Sequence, residues 1–197
     1  SIYSKTPRIN INSTLDSGMI DAIISHEHIH LLQDEFINQR RIKCYGLKIE
    51  YINEILEIPE IHKSNALRYI FSPLEVEARL HELFLNYYRN YRIIPGSLEQ
   101  FILMTKAISC LAYNESPEPN DEKIIIIYSR LKNHVDKYFI LMLKAIKAEY
   151  KEKYINEVLA LHFANLLLYY NLPEKSRALT QEIKSNELIE KIYRPIE

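Results

Sequence analysis

Glycine occurs three times in 197 residues, at positions 18, 46 and 96. It is the residue that enters positive-φ backbone without steric cost. A chain this poor in glycine lacks the means to build the tight hairpins of a β sandwich or the Gly-rich loops that cradle phosphates. What remains is a helical scaffold, where spacing along helices rather than special backbone places the side chains. Hydrophobic residues make up 47% and charged residues 26%, the balance of a folded domain rather than of a disordered tract. The length suits one domain with its own core. The expected fold is therefore mainly α, a single domain over 1–197, with at most one short N-terminal strand. That strand is expected at 8–12, where Arg8-Ile9-Asn10-Ile11-Asn12 alternates polar and apolar.

Charge and cysteine usage narrow the function classes. A net charge of -1 provides no positive field for a polyanion, so nucleic acid is not an expected partner. Cys44 and Cys110 form no Cys-x-x-Cys pair; they allow one bridge, but read rather as two structural thiols in a reducing compartment. The longest uncharged run starts at Val158 and is interrupted by His162, Asn165 and Asn171, so no membrane span is expected. Ser1-Ile2-Tyr3 opens without a signal-peptide pattern. The expected setting is the cytoplasm, or that of an effector or toxin fragment delivered from a longer chain.

Helix signals run along most of the sequence. Ser13 or Asp16 can cap a first helix in which Met19, Ile20, Ile23, Ile24, Leu31 and Leu32 recur at helical spacing. Arg40, Arg41 and Lys43 suit its C-terminal end, and Gly46 suits the stop. Short helices follow over about 47–56 and 61–71. Ser72-Pro73-Leu74-Glu75 combines an N-cap serine, a proline at the first helical position and a glutamate three residues after the cap. Ser97-x-x-Gln100 opens another helix, and Pro117, Pro119 and Asn120 mark a loop over 113–121. From Asp121 the pattern is helical to the end, with breaks near 149–153 and at Pro173.

One stretch carries chemistry. In Ile24-Ser25-His26-Glu27-His28-Ile29-His30, His26, Glu27 and His30 spell His-Glu-x-x-His inside a helix. Positions four apart lie one turn above the other, so both imidazoles reach one Zn²⁺ at about 2.0–2.1 Å. Glu27 then stands beside the metal, where a carboxylate serves as general base toward water. His28 falls on another side of the helix and reads as a core or edge histidine. Asp34, one turn beyond His30, is either an orienting carboxylate for that ring or a solvated charge. His62, His134 and His162 are isolated, and His162 reads as buried with its hydrogen bonds met.

A catalytic zinc site needs a third protein ligand and an open position. With the run Pro73-Leu74-Glu75-Val76-Glu77-Ala78-Arg79 on a following helix, the chain resembles zincin metallopeptidases of the gluzincin type, in which a second helix carries a glutamate ligand within Glu-x-x-Ala. The resemblance covers the two helices. It implies His26 and His30 as ligands, Glu75 as the third ligand, Glu27 as general base, Zn²⁺ as cofactor and a peptide or protein as substrate. On that reading the metallopeptidase-like core is about 1–112, and about 121–197 is a helical C-terminal part. Many members place an aspartate four residues after the ligand glutamate to hold a ligand histidine; here that residue is Arg79.

Other uses of the same residues stay open. Glu75 is also the capping-box residue for Ser72 and the i,i+4 partner of Arg79. Glu77 is the alternative ligand and pairs by spacing with His81, itself read as a surface or core histidine. Tyr69, Tyr87, Tyr88 and Tyr91 are too many for a choice of oxyanion donor. Two other functions compete with the peptidase. One is a ferritin-like diiron protein, for which Glu27-x-x-His30 supplies one of the two motifs needed. The other is a non-catalytic helical interaction protein.

Overall fold

The computed structural model describes residues 17–39, 41–42, 45–57, 65–113, 116–131, 137–183 and 185–196. The expected 8–12 strand, the caps Ser13 and Asp16, and Arg40, Lys43, Cys44, His62 and His134 lie outside the described residues. The fold is mainly helical. In chain order the elements are α1 Ser17–Asn38, β1 Tyr45–Leu47, α2 Ile49–Ile55, α3 Asn65–Ile70, α4 Pro73–Tyr91, α5 Leu98–Tyr113, α6 Glu122–Leu131 and α7 Lys137–Ala145. There follow α8 Ala148–Lys153, a π-helical stretch Tyr154–Leu159, α9 Ala160–Tyr169, α10 Pro173–Glu182, α11 Glu187–Ile192 and β2 Tyr193–Pro195. No described helix is long and apolar enough to cross a membrane.

Proline-led starts are the best-kept signals. Pro73 begins α4 and Pro173 begins α10, since the missing N–H of proline is one the first turn cannot use. At α5 the Ser97 hydroxyl accepts from the Gln100 N–H at 3.3 Å, and the Gln100 side chain accepts from the Gly96 N–H at 2.8 Å. The expected capping box at Ser72 does not form. Its N–H donates to the Tyr69 carbonyl at 3.1 Å, which leaves Glu75 free to turn elsewhere.

Three expectations are corrected. Gly46 is not the stop of α1; it lies in β1, paired with Arg194 of the antiparallel β2. The helix ends at Asn38, and the Arg41 N–H returns to the Phe36 carbonyl at 2.9 Å. The chain does not stay helical to its end, because 193–195 pair with 45–47. Strands of three residues are too short to show an alternating pattern. Finally, 149–153 is not a break. The chain runs helically from α8 through the π stretch into α9. The interruption falls just before, where Leu56 bridges Ile146 and the Lys147 N–H donates to the Ile55 carbonyl at 2.8 Å.

One apolar cluster extends from Ile29 to Tyr193 and joins both halves of the chain. Its centre is a stack of three phenylalanine rings. Phe84 of α4 lies 4.1 Å from Phe163 of α9, and Phe163 lies 5.1 Å from Phe101 of α5. The core face of α1 is not the one its aliphatic residues suggest. Ile29, Gln33 and Phe36 are buried, while Ile24 and Leu31 are each 42% exposed. This rotation turns His26 and His30 toward α4.

Candidate metal centre

The packing of α1 on α4 brings His26, His30 and Glu75 together. Their ligand-type atoms all lie within 4.8 Å of one another. His26 Nε2 and His30 Nε2 are 3.2 Å apart. Glu75 Oε2 is 3.4 Å from the first, and Glu75 Oε1 is 3.3 Å from the second. A tetrahedral ion with donors at about 2.0–2.1 Å has donor–donor edges of about 3.3–3.4 Å. The nitrogen–nitrogen separation is close to that size, and each nitrogen faces a different oxygen of the Glu75 carboxylate at a similar distance. Among the described residues this is the one group of three such donors.

Each imidazole is held from behind. The His26 Nδ1–H donates to Glu82 Oε1 at 2.7 Å. The His30 Nδ1–H donates to Gln33 Oε1 at 2.7 Å. Both rings thus turn Nε2 toward Glu75, the arrangement expected of histidine ligands with an outer hydrogen-bond partner. Neither Glu82 nor Gln33 was identified from the sequence. Glu82 stands seven residues, or two turns, after Glu75 on α4, and Gln33 stands three after His30. Both spacings are legible once the metal face is known. Asp34 is exposed and does not serve the orienting role. Arg79, where many zincins have aspartate, approaches Glu75 Oε2 at 3.5 Å instead.

Charge is concentrated here. Burial opposes the charged form of His26, but Glu75 and Glu82 outweigh it and hold its pKa up at about 9. The Glu75 hydrogen bond raises His30 against the effect of burial. Burial alone would raise Glu75; hydrogen bonds from His26, His30 and Tyr69 instead hold its carboxyl well below the usual range. Tyr69, half exposed at the end of α3, has its hydroxyl on Glu75. Burial together with that carboxylate pushes the phenol up to about 12, and the charge of Glu27 adds to the push. Glu27 itself is exposed, one residue along from His26.

Glu77 does not join this group. It points to the opposite side of α4, where it is buried and accepts four hydrogen bonds. The donors are Gln33 Nε2 at 2.9 Å, His162 Nδ1 at 2.9 Å, Asn165 Nδ2 at 2.7 Å and the Tyr169 hydroxyl at 2.8 Å. His162 is fully buried, and its Nε2 meets the Tyr193 hydroxyl at 3.2 Å. His28, expected in the core or at its edge, is exposed. His81 is half-buried with Nδ1 2.6 Å from the Tyr170 hydroxyl, and burial lowers its pKa to about 4. Cys110 is a half-buried residue of α5.

Compared with known proteins, the chain matches no family model, no curated protein and no solved structure. The chemistry of the donor set therefore carries the functional reading.

Proposed function

We propose that the protein is a zinc-dependent peptide hydrolase of the zincin kind. The observation that carries this is the convergence of His26 Nε2, His30 Nε2 and the two Glu75 carboxylate oxygens, with contacts of 3.2–3.4 Å, and of Glu27 on the same helix as the histidines. Two imidazoles and one carboxylate are the donor set of many catalytic zinc sites, which keep a further position open. Zinc, when bound, supplies Lewis acidity toward water and the scissile carbonyl.

The chain's own groups divide the remaining work. The Glu27 carboxylate takes a proton from the attacking water as its oxygen bonds to the carbonyl carbon. It returns that proton to the amine nitrogen as the C–N bond breaks. Because Glu27 is exposed, it is open to a peptide arriving from solvent. The Tyr69 hydroxyl donates to Glu75 and helps hold that carboxylate charged and in place. Glu82 and Gln33 keep the two rings oriented throughout.

The test combines metal content with turnover of a peptide mixture followed by mass spectrometry. The wild-type protein is expected to hold about one zinc per chain. Glu27→Gln is expected to keep the zinc and lose hydrolysis by at least about a hundredfold, the scale of a general base. Undiminished hydrolysis by Glu27→Gln sinks the mechanism, and a wild-type chain that takes up no zinc sinks the metal reading.

A further inference from the structure

We propose that Gln33 and Glu77 are positioning residues: they lock His30 in the Nδ1–H tautomer and so reserve its Nε2 lone pair for a metal. The inference rests on the metal reading above, but its geometry stands apart from it.

The Leu74 carbonyl oxygen can only accept. Gln33 Nε2 lies 3.0 Å from it and 2.9 Å from Glu77 Oε2. Gln33 is fully buried, so water does not rescue a wrong orientation. Turning its amide over would set Oε1 against two acceptors and lose both bonds. The NH₂ group therefore faces Leu74 and Glu77, and Oε1 faces His30. An amide oxygen can only accept, so the His30 Nδ1 at 2.7 Å must carry a hydrogen. In the neutral ring this leaves Nε2 unprotonated, on the side where His26 and Glu75 stand.

Glu77 in turn is fixed as an acceptor. Asn165 Nδ2 and Gln33 Nε2 can only donate, and they take one oxygen each. His162 Nδ1 and the Tyr169 hydroxyl complete the set. The second glutamate of Glu-x-Glu is thus part of the site without being a ligand. It acts through one amide, about two hydrogen bonds from the metal position. His26 has a shorter arrangement, with Glu82 bonded directly to its ring. Placing a neutral amide behind one ring and a carboxylate behind the other also limits the negative charge packed around Glu75.

The test reads tautomers directly, by long-range proton–nitrogen NMR of ¹⁵N-histidine-labelled, metal-free protein. The pH is set above the value of about 9 reached by His26, and the His30 signals are assigned by their loss in His30→Asn. The wild type is expected to show His30 as Nδ1–H. Gln33→Leu is expected to shift His30 toward Nε2–H and to weaken zinc binding about 10–100-fold, with an unchanged far-ultraviolet circular dichroism spectrum. Glu77→Gln is expected to move the same signals in the same direction by a smaller amount. Nε2–H in the wild type, or an unmoved tautomer and zinc affinity in folded Gln33→Leu, overturns the proposal. An Nδ1–H ring in a wild-type chain that binds no zinc supports the relay and overturns the metal reading alone.

Discussion

On the proposed metal reading, proton and metal would compete for one nitrogen at His26. Without metal, Glu75 and Glu82 favour the charged ring and keep its pKa at about 9, and His30 is raised as well. A protonated imidazole cannot ligate, so zinc entering the site near neutral pH must expel protons. Affinity should rise with pH until about 9, by about tenfold per pH unit for each proton displaced. Calorimetry in two buffers of different ionisation enthalpy is expected to show one to two protons released near pH 7. A pH-independent affinity would show that the histidines are not the ligands. At this scale the sequence disclosed the residues that cluster, His26, His30 and Glu75, but not their supports. Four-residue spacing on a helix is a local property, and so His26, Glu27 and His30 could be read directly. Glu75 could be read from its motif, but its choice between capping Ser72 and facing the histidines was decided by the Tyr69 carbonyl, which takes the Ser72 N–H. Glu82 and Gln33 gained meaning only when α1 met α4, because nothing in a single helix shows which face the other helix will cover.

Helix ends show how a glycine-poor chain is punctuated. Among the described residues no glycine has positive φ; that conformation falls on Arg92 and Asn171, with φ of 58° and 57°. Asparagine enters this region at modest cost, whereas arginine does so against its Cβ. Arg92 follows α4, and its N–H donates to the Tyr88 carbonyl at 2.7 Å, which gives the strained residue a fixed task. Arg92→Gly is therefore expected to raise stability by about 0.5–1 kcal/mol, the relief of left-handed strain less the added freedom of the unfolded chain. Urea denaturation checks it, and a lower midpoint would show that the arginine side chain contributes more than its backbone costs. Elements with a chemical start signal, at Pro73, Ser97 and Pro173, were legible for the same local reason. The β1–β2 pair was not, since the register of Tyr45–Leu47 is set by its partner Tyr193–Pro195. That constraint comes from the far end of the chain. The core face of α1 does not follow from its aliphatic spacing, because its buried stripe contains Gln33, while Ile24 and Leu31 face solvent.

Across the whole molecule, one buried carboxylate ties together parts distant in sequence. Glu77 joins α1 through Gln33, α9 through His162, Asn165 and Tyr169, and β2 through His162 and Tyr193. Burial alone would raise its pKa, but the donors around it, His162 foremost, hold it below the ordinary 4.5. A carboxyl lowered on folding binds fewer protons in the native state than in the unfolded one. Its stabilising contribution is therefore complete above the unfolded value of about 4.5 and is lost as pH falls below it toward the folded value. Removing the acceptor leaves four donors without it, three of them buried, and Glu77→Ala is expected to cost about 3–5 kcal/mol near neutral pH. Glu77→Gln separates the electrostatic part. It should be less stable than the wild type at neutral pH, and the gap should narrow as pH falls from about 5 to 3, because only the wild type then loses a charge-dependent contribution. Denaturant titrations across that range decide the matter. Parallel pH profiles for the two proteins would show that acid acts elsewhere, and that the link from the candidate centre to the C-terminal strand is held by packing alone.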